Sequence, residues 1–402
     1  MMTTTTRAAD RRARAALSRL MEPSDWVGLA LVAAVGALDG LRIATGEVNP
    51  GPELQAELYR LLNREQSRSQ QGMLSEALQR WRPRIKDLDP ERDLATIERL
   101  GGTVLVPGDE SWPVELADLE LAEPLCLWTR GQHSHGIPPA ERTIAVVGSR
   151  DSTNYGNSAT GDLAAGLTQK GYCVASGGAY GIDAQAHRSA LAAAEPGHWP
   201  ATIAIMACGL DRYYPAGNEE LLRTVASRGL LLSELPPGAA PTRWRFLQRN
   251  RLIAALAGTT VVVEARWRSG ALNTAHHAAG LGRPVGAVPG SIYSANSAGT
   301  HRLLRDGSAV CVTDAAEVAE LAGPLDAGAA AEQQVPLSDH DGLSVEDLLL
   351  LDALPVRQGT TVEKLSAVAG LPMRTVLAGL GRLEIMSLAQ QDSSGWRRQQ
   401  RS

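Results

Sequence analysis

The sequence has few aromatic residues, and its cysteines are scattered. Aromatic residues make up 4% of the 402 residues, and Phe246 is the single phenylalanine, so an aromatic side chain among polar neighbours is conspicuous. The four cysteines are far apart, with no CxxC motif and no Cys/His cluster. This spacing excludes a zinc finger and a disulfide framework, and it predicts reduced thiols in a cytoplasmic protein.

Long apolar runs are also missing. The longest run, residues 27–38, is about half of the roughly 20 residues that a membrane-spanning helix needs. We expect a buried helix there and no association with a membrane. No apolar stretch directly follows the basic N-terminus, so the sequence predicts no signal peptide.

Acidic residues are nearly missing from residues 235–305, where Glu264 is the only one. The same stretch carries nine arginines, although the whole chain has a net charge of −5. They are Arg243, Arg245, Arg249, Arg251, Arg266, Arg268, Arg283, Arg302 and Arg305. Arginine-rich codon usage explains why the chain has only three lysines, but it does not explain the missing acids. A basic block inside an acidic chain predicts an anionic ligand.

The periodicity of apolar residues divides the chain into five parts. We expect a flexible tail at residues 1–23 and a small helical domain at residues 24–100. Residues 101–322 form the main domain, which begins with short strands beside a larger sheet. Residues 323–342 are expected to be a linker. Residues 343–402 show three short helices and a terminal hairpin, the pattern of a winged-helix domain whose third helix contacts either DNA or another protein.

In the main domain, apolar strands alternate with helices from residue 142 onward. This alternation predicts an α/β fold with a Rossmann-like, mostly parallel sheet and helices on both faces. The expected strands cover residues 144–147, 172–175, 202–207, 230–233, 260–263, 285–288 and 309–312. The expected helices cover residues 157–170, 183–194, 218–227, 246–257, 271–280 and 300–304. Ligands of such sheets bind beyond the carboxyl ends of the strands, so the turns there are the candidate binding elements.

Two glycine turns follow consecutive strands of the predicted sheet. In the first, Gly148 lets the backbone approach a ligand, and the amides after it suit an anion, as does the fork of Arg150. In the second, residues 176–178 read Ser-Gly-Gly, and a helix begins after Gly181. Either motif alone is also explained by an ordinary turn or by tight packing. The occurrence of both favours a bound anion.

A third turn, at residues 209–221, carries Arg212, Tyr213 and Tyr214. The tyrosines either stack on nucleobases, as aromatic rings do in single-strand-binding sites, or pack inward. The sequence leaves both interpretations open.

Two later segments add cations and helix amides. Residues 242–256 interleave four arginines with Trp244 and Phe246, which provides cations for phosphates and rings for bases. Further along, Ser269 and Gly270 open a helix that has Thr274 in its first turns. The unpaired amides of such a helix start suit a phosphate.

Ser149, Asp183 and His187 also suggest a hydrolase. The sequence has no nucleophile elbow, and His187 lies one helical turn after Asp183. That spacing is more typical of a capping carboxylate and a surface histidine than of a catalytic triad. We therefore expect no catalytic residues.

Ten segments in order resemble the DNA-processing A (DprA/Smf) family. They are VPGDESWPVELADL, PLCLWTRG, VVGSR, SGGAYGIDAQAH, GLDRYYPAGN, LLSELPPG, FLQRNRLIAAL, EARWRSGALNTA, GRPVGAVPG and GTHRLLRDG. The resemblance implies a cytoplasmic protein that is not an enzyme and binds single-stranded DNA in a basic pocket. It also implies that the protein protects incoming DNA and loads the RecA recombinase in natural transformation. Further implications are a homodimer, contact with single-strand-binding protein, and neither cofactor nor metal.

Matching the motifs residue by residue, the resemblance implies a set of DNA-binding positions. They are Gly148, Ser149, Arg150, Ser176, Gly177, Gly178, Ala179, Gly181, Asn218, Arg249, Asn250, Arg251, Ser269, Gly270 and Thr274. Some relatives carry a lysine after the Tyr-Pro pair, where this chain has Ala216. Arg212 is expected to substitute for it.

Two other classes of protein stay open at this point. A nucleoside-monophosphate phosphoribohydrolase has a related fold, although its glycine-rich loop is represented here only by Pro289 and Gly290. A transcription regulator would use the winged-helix domain to bind a specific duplex.

Overall fold

A computed structural model describes residues 4–62, 72–132, 136–195, 199–323, 343–356, 358–392 and 395–399. The chain divides into two compact units, Met1–Ala327 and Gly328–Ser402. The expected linker at residues 323–342 lies, apart from its first residue, outside the described residues.

Helices open the first unit. They are α1 (Thr4–Leu20), α2 (Trp26–Thr45), α3 (Pro52–Leu61), α4 (Met73–Ile85) and α5 (Pro90–Arg99). The expectation of a flexible tail at residues 1–23 is wrong, because α1 is part of the core. Ala13, Leu17 and Leu20 recur at helical spacing and pack with apolar residues of α2 and α4. Arginines of the same helix mask this periodicity in the sequence, and two of them form ion pairs with Asp93 and Asp109 elsewhere in the unit.

The longest apolar run begins α2. Asp25 caps this helix by accepting a hydrogen bond from the Gly28 amide at 3.3 Å. The helix extends beyond the predicted run to Thr45, with a kink at Gly36, whose positive φ of 79° is not helical. By length and composition α2 could cross a membrane, but half of its apolar window is buried inside the protein. Residues 29–32 belong to the core, as predicted for a buried helix.

A nine-stranded sheet forms the centre of the first unit, in the order β1-β2-β6-β5-β4-β3-β7-β8-β9. The strands are β1 (Gly102–Leu105), β2 (Leu127–Gly131), β3 (Thr143–Val147), β4 (Cys173–Gly177), β5 (Thr202–Met206), β6 (Leu230–Ser233), β7 (Thr259–Val262), β8 (Val285–Ala287) and β9 (Val310–Cys311). Strands β3 to β9 are parallel, which confirms the predicted topology. The short strands β1 and β2 do not pack beside this sheet. They extend it, because β2 pairs antiparallel with β6.

Helices cover both faces of the sheet, as predicted. They are α6 (Asn154–Gln169), α7 (Ile182–Ala193), α8 (Glu219–Arg228), α9 (Arg243–Ala255), α10 (Gly270–Gly280), α11 (Ala298–Arg305) and α12 (Ala315–Ala322). Adjacent residues of β3 point to opposite faces. Ile144 packs with residues of α6, α7 and α12, whereas Ala145 packs with residues of α9 and α10. Burial on both faces explains why these strands are apolar throughout.

The strand order reverses next to β3. From β3 the chain builds β4, β5 and β6 on one side and then crosses to β7 on the other side. Ligands of open α/β sheets bind at such a switch point, outside the carboxyl ends of the strands. The turns after β3 and β7 therefore flank the expected binding crevice.

The second unit contains α13 (Val345–Ala353), α14 (Val362–Ala369), α15 (Met373–Ile385), β10 (Ala389–Asp392) and β11 (Gly395–Arg398). The two strands form an antiparallel hairpin. Leucines of all three helices make a small separate core that includes Leu350, Leu365 and Leu380. Three helices and a hairpin occur in the predicted order, and the winged-helix assignment stays a prediction.

Candidate nucleic-acid interface

A cavity of about 390 Å³ lies at the switch point. Its walls come from the turn after β3, the first turns of α9, the loop after β7 and the start of α10. Of the predicted DNA-binding residues, it is lined by Gly148, Ser149, Arg150, Ala179, Arg249, Asn250, Ser269, Gly270 and Thr274. The structure thus brings most of the predicted set into one crevice.

Close packing explains the glycine in the first turn. A Cβ atom on Gly148 would lie 2.5 Å from the Cγ1 atom of Ile182 and 2.9 Å from the carbonyl oxygen of Glu264. The Ser149 amide donates to that same carbonyl at 2.7 Å. The expectation that all the amides after Gly148 point at a ligand is therefore wrong for Ser149. The turn contributes its shape and the side chain of Arg150.

Glu264, the only acid of the basic block, is an anchor. It is buried, and its carboxylate accepts hydrogen bonds from the Thr153 amide at 2.9 Å and from the Thr153 hydroxyl at 2.6 Å. These bonds fix the start of α6 against the end of β7. Because the carboxylate is buried and hydrogen-bonded to Thr153, the basic block can contain this acid and still present cations to a ligand.

The second glycine turn packs against residues that line the cavity. A Cβ atom on Gly177 would lie 2.5 Å from the Arg249 guanidinium and 2.5 Å from Oδ2 of Asp183. Asn218 clamps the turn, since its Nδ2 atom donates to the carbonyl oxygens of Gly178 and Ala179 at 3.0 and 2.9 Å. These two carbonyl groups are therefore used inside the protein, and Ala179 is the residue of this turn that lines the cavity.

The remaining predicted members of this turn also have supporting positions. The hydroxyl of Ser176 is buried and donates to the Val146 carbonyl at 2.6 Å. Gly181 has a positive φ of 73°, and a Cβ atom there would lie 2.2 Å from the carbonyl oxygen of Ser149. Gly181 is thus the contact between the two glycine turns.

Arg249 is the buried cation of the cavity floor. It is only 6% exposed and donates to the carbonyl of Ile205. Burial lowers the pKa of Arg249, partly offset by the negative charge of Asp183. Burial likewise raises the pKa of Asp183, while Arg249 and the Ala179 amide oppose that shift. An anion entering the cavity would relieve the cost of burying this guanidinium.

Phe246 gathers cations and a second ring at the cavity wall. The Arg150 guanidinium carbon lies 4.8 Å from the centre of the Phe246 ring, and that of Arg249 lies 5.9 Å away. The Tyr214 ring lies 5.8 Å from Phe246, tilted by 44°. Tyr214 is exposed, whereas Tyr213 is half-buried and contacts the guanidinium of Arg130. Tyr213 therefore packs inward, whereas stacking of Tyr214 on a nucleobase stays a prediction.

Asn250 and Ser269 organise the start of α10. The Asn250 amide donates to the Gly270 carbonyl and to Oδ1 of Asn273, both at 3.2 Å. Ser269 caps the helix by accepting from the Ala271 amide at 3.3 Å. Thr274 is buried on the cavity side of this helix.

The loop before α10 adds two arginines, Arg266 and Arg268, that line the cavity. Arg266 forms an ion pair with Asp151. Both belong to the basic block of the sequence, but neither stood among the predicted DNA-binding residues. Their position directly before Ser269 was the signal that could have included them.

Two predicted DNA-binding arginines lie outside the cavity. Arg251 is 3% exposed, and its guanidinium donates to both carboxylate oxygens of buried Glu234 at 2.7 and 2.8 Å. Its Nε atom donates to the Ala122 carbonyl at 3.2 Å. Arg212 is an exposed residue that donates to the Gly238 carbonyl at 3.2 Å. Arg251 therefore holds the fold together, and Arg212 does not replace a phosphate contact within the cavity.

His187 is a core residue and not the expected surface histidine. Its ring nitrogens contact the Gly177 carbonyl at 2.8 Å and the Thr202 hydroxyl at 2.7 Å. Burial lowers its pKa to about 4. Both nitrogens are engaged with these partners, so Ser149, Asp183 and His187 do not form a triad.

These features define a class: a Rossmann-like α/β protein with a basic, aromatic-lined cavity at the switch point of its sheet. The family model for DNA recombination-mediator protein A matches residues 103–323. The chain belongs to this family of DNA-processing proteins, which confirms the resemblance found in its motifs.

Individual relatives support the same family. The chain is 42% identical over 316 residues to the putative DNA processing protein DprA of Mycobacterium tuberculosis, covering 76% of this chain and 79% of that protein. It is 29% identical over 262 residues to the DNA processing protein DprA of Bacillus subtilis, covering 65% and 83%. The X-ray structure of DNA processing protein A from Streptococcus pneumoniae aligns with a TM-score of 0.53 and 30% identity, covering 66% and 89%.

Proposed function

We propose that this protein binds single-stranded DNA in the cavity at the switch point and acts by binding, without catalysing a reaction. The observation that carries the proposal is the cluster of Arg150, Arg249 and Phe246. It combines cations for the phosphates with a ring for a base, which is what a single strand requires of a protein.

The charges around the cavity support this ligand. Arg150 is exposed and lines the cavity together with Arg268 and Arg266, which pairs with Asp151, the one exposed acid of the lining. Phosphates of a strand in the crevice would meet an excess of cations, while Phe246 and Tyr214 offer ring faces that accept any base. Binding of this type depends strongly on salt and weakly on sequence.

Membership in a family of recombination mediators supports the wider role. The bound strand is incoming DNA that the protein protects and passes to the RecA recombinase during natural transformation. The proposal includes a cytoplasmic location, a homodimer and contact with single-strand-binding protein. These parts rest on the family alone.

Fluorescence anisotropy of a labelled oligothymidine tests the proposal. The titration compares wild type, Arg150→Ala and the control Arg305→Ala over a series of salt concentrations, with duplex DNA as competitor. Arg305 belongs to the same basic block and its side chain is 69% exposed, but it lies outside the cavity. Both variants lose one positive charge, so only the position of the charge differs.

The proposal predicts salt-sensitive binding that duplex DNA competes for poorly. Arg150→Ala should weaken binding and reduce the slope of log K against log salt concentration by about 1, whereas Arg305→Ala should bind like wild type. Equal affinities of all three proteins would show that the cavity is not the DNA site.

Loading is tested by adding RecA to DNA coated with single-strand-binding protein, where wild type should accelerate filament formation and Arg150→Ala should not.

A further inference from the structure

A second cavity, of about 300 Å³, lies between the N-terminal helices and the start of α9. Two indole rings line it, Trp26 from the first residue of α2 and Trp244 from the first turn of α9. Their exposed fractions are 49% and 57%. Large aromatic side chains exposed together on a soluble surface usually mark a binding site, and the cavity at the switch point does not include these two rings.

The two cavities lie next to each other along α9. Leu247 lines the cavity at the switch point, and Trp244 lines the second cavity three residues earlier. Residues three apart on a helix are neighbours on its surface. A strand that leaves the first cavity along the exposed edge of α9 therefore reaches Trp244 next.

The charges of the second cavity are compatible with a polyanion. Glu22 is neutralised by Arg84 at 2.6 Å and by Arg245 at 2.8 Å. Burial alone would raise the pKa of Glu22, but the two arginines outweigh this effect and lower it. The carboxylate therefore stays ionised and paired. Asp25 accepts from the Trp81 indole at 2.9 Å. The acids of this cavity are thus bound by the protein itself.

The same Glu22 contacts make the two walls one rigid frame. Arg84 belongs to α4 and Arg245 to α9, so Glu22 ties the turn before Trp26 to the helix that carries Trp244. Because the two walls are fixed to each other, little conformational entropy is lost in bringing the two walls together around a flat ligand.

We propose that Trp26 and Trp244 form a second base-stacking site, which takes bases of the same DNA strand after it leaves the cavity at the switch point. This inference rests on the proposed function and extends it to the N-terminal helices. Stacking on indole rings suits any base, so the site lengthens the bound strand without adding sequence preference.

Two oligothymidine lengths test this inference with the full-length protein. A strand of about 2 nucleotides fills only the first cavity, because the second begins one helical turn away, and a strand of about 15 nucleotides, within the usual range of site sizes, can reach the second. The variants are Trp26→Ala, Trp244→Ala and Trp244→Phe. Tyr293→Ala, which removes an aromatic side chain that is 93% exposed, is the control.

We expect Trp26→Ala and Trp244→Ala to weaken binding of the long strand by about 5- to 150-fold, with unchanged affinity for the short strand and an unchanged salt slope. Trp244→Phe should retain most of the affinity, and Tyr293→Ala all of it. Unchanged binding of the short strand also shows that the variants are folded.

If wild type binds both strands and the tryptophan variants bind the long one equally well, the second site is refuted while the proposed function stands. If wild type binds neither strand, the proposed function itself fails. A loss that is equal for both lengths would place the tryptophans in the first cavity or in the fold and would also overturn the inference.

Discussion

Arg150 and Phe246 meet at the wall of the cavity, where the guanidinium carbon lies 4.8 Å from the ring centre. Arg249 approaches the same ring to 5.9 Å. Cation–π attraction offsets part of the repulsion between the two guanidinium groups. One phenylalanine, the only one in the chain, thus holds two cations ready for a phosphate.

Replacing the Phe246 ring should weaken DNA binding with little change in how strongly the affinity depends on salt concentration. Phe246→Ala removes the stacking surface, and we expect a loss of about 1–3 kcal/mol in the free energy of binding oligothymidine. The salt slope should change little, because no charge is removed. Phe246→Tyr is the matched control and should bind nearly as well as wild type. A Phe246→Ala protein with wild-type affinity would contradict a role for the ring.

Gly177→Ala should displace the side chain of Arg249 in the cavity. The new methyl group would lie 2.5 Å from both the Arg249 guanidinium and the Asp183 carboxylate, so Arg249 must move. We expect a clear loss of DNA affinity, measured by anisotropy at constant salt. Gly280→Ala is the control, since no described atom lies within 4 Å of that position. Equal binding by the two variants would show that the place of Arg249 does not matter.

Arg251 should matter for stability and not for DNA affinity. Removing it in Arg251→Met leaves Glu234 buried without its partner, which costs about 3–5 kcal/mol of the free energy of unfolding. The double variant Arg251→Met/Glu234→Leu should recover most of that loss. Urea unfolding measures both. If Arg251→Met were as stable as wild type but no longer bound DNA, Arg251 would belong to the binding site and the prediction would be wrong.

His187 should make the protein less stable at low pH. The folded state lowers its pKa from 6.5 to about 4, so between these values the unfolded chain binds the proton more readily. Stability is therefore complete above pH 6.5 and is lost as the pH falls toward 4, by up to about 3 kcal/mol at 1.36 kcal/mol per pKa unit.

The measurement is urea unfolding of wild type and His187→Gln at pH 7 and pH 4.5. The difference in stability between the two pH values should be smaller for the variant, because its side chain does not titrate. An identical pH dependence in both proteins would mean that His187 is not buried as a neutral ring.

Strand positions and the binding edge could be predicted because a parallel sheet buried on both faces needs continuous apolar strands, and β3 to β8 provide them. The roles of individual arginines could not be predicted. Arg249 and Arg251 are two residues apart, so they point to different sides of α9, and only packing decides which one faces the cavity. Helix α1 was missed because its arginines interrupt the apolar pattern, and the acidic partners of Arg11 and Arg19 lie far away in the sequence.

His187 shows the same limit. Spacing along α7 relates it to Asp183, but its partners Thr202 and Gly177 lie on neighbouring strands. The side-chain contacts of a residue depend on elements that the sequence does not place next to each other.

The most direct test of the central claim is photocross-linking of the protein to an oligothymidine that contains 5-bromodeoxyuridine, followed by mass spectrometry of the linked peptides. We predict cross-links to the segment that holds Tyr214 and to the start of α9 with Phe246, and their loss in Phe246→Ala. Cross-links confined to the unit after residue 327, or unchanged by the substitution, would contradict a DNA site at the switch point of the sheet.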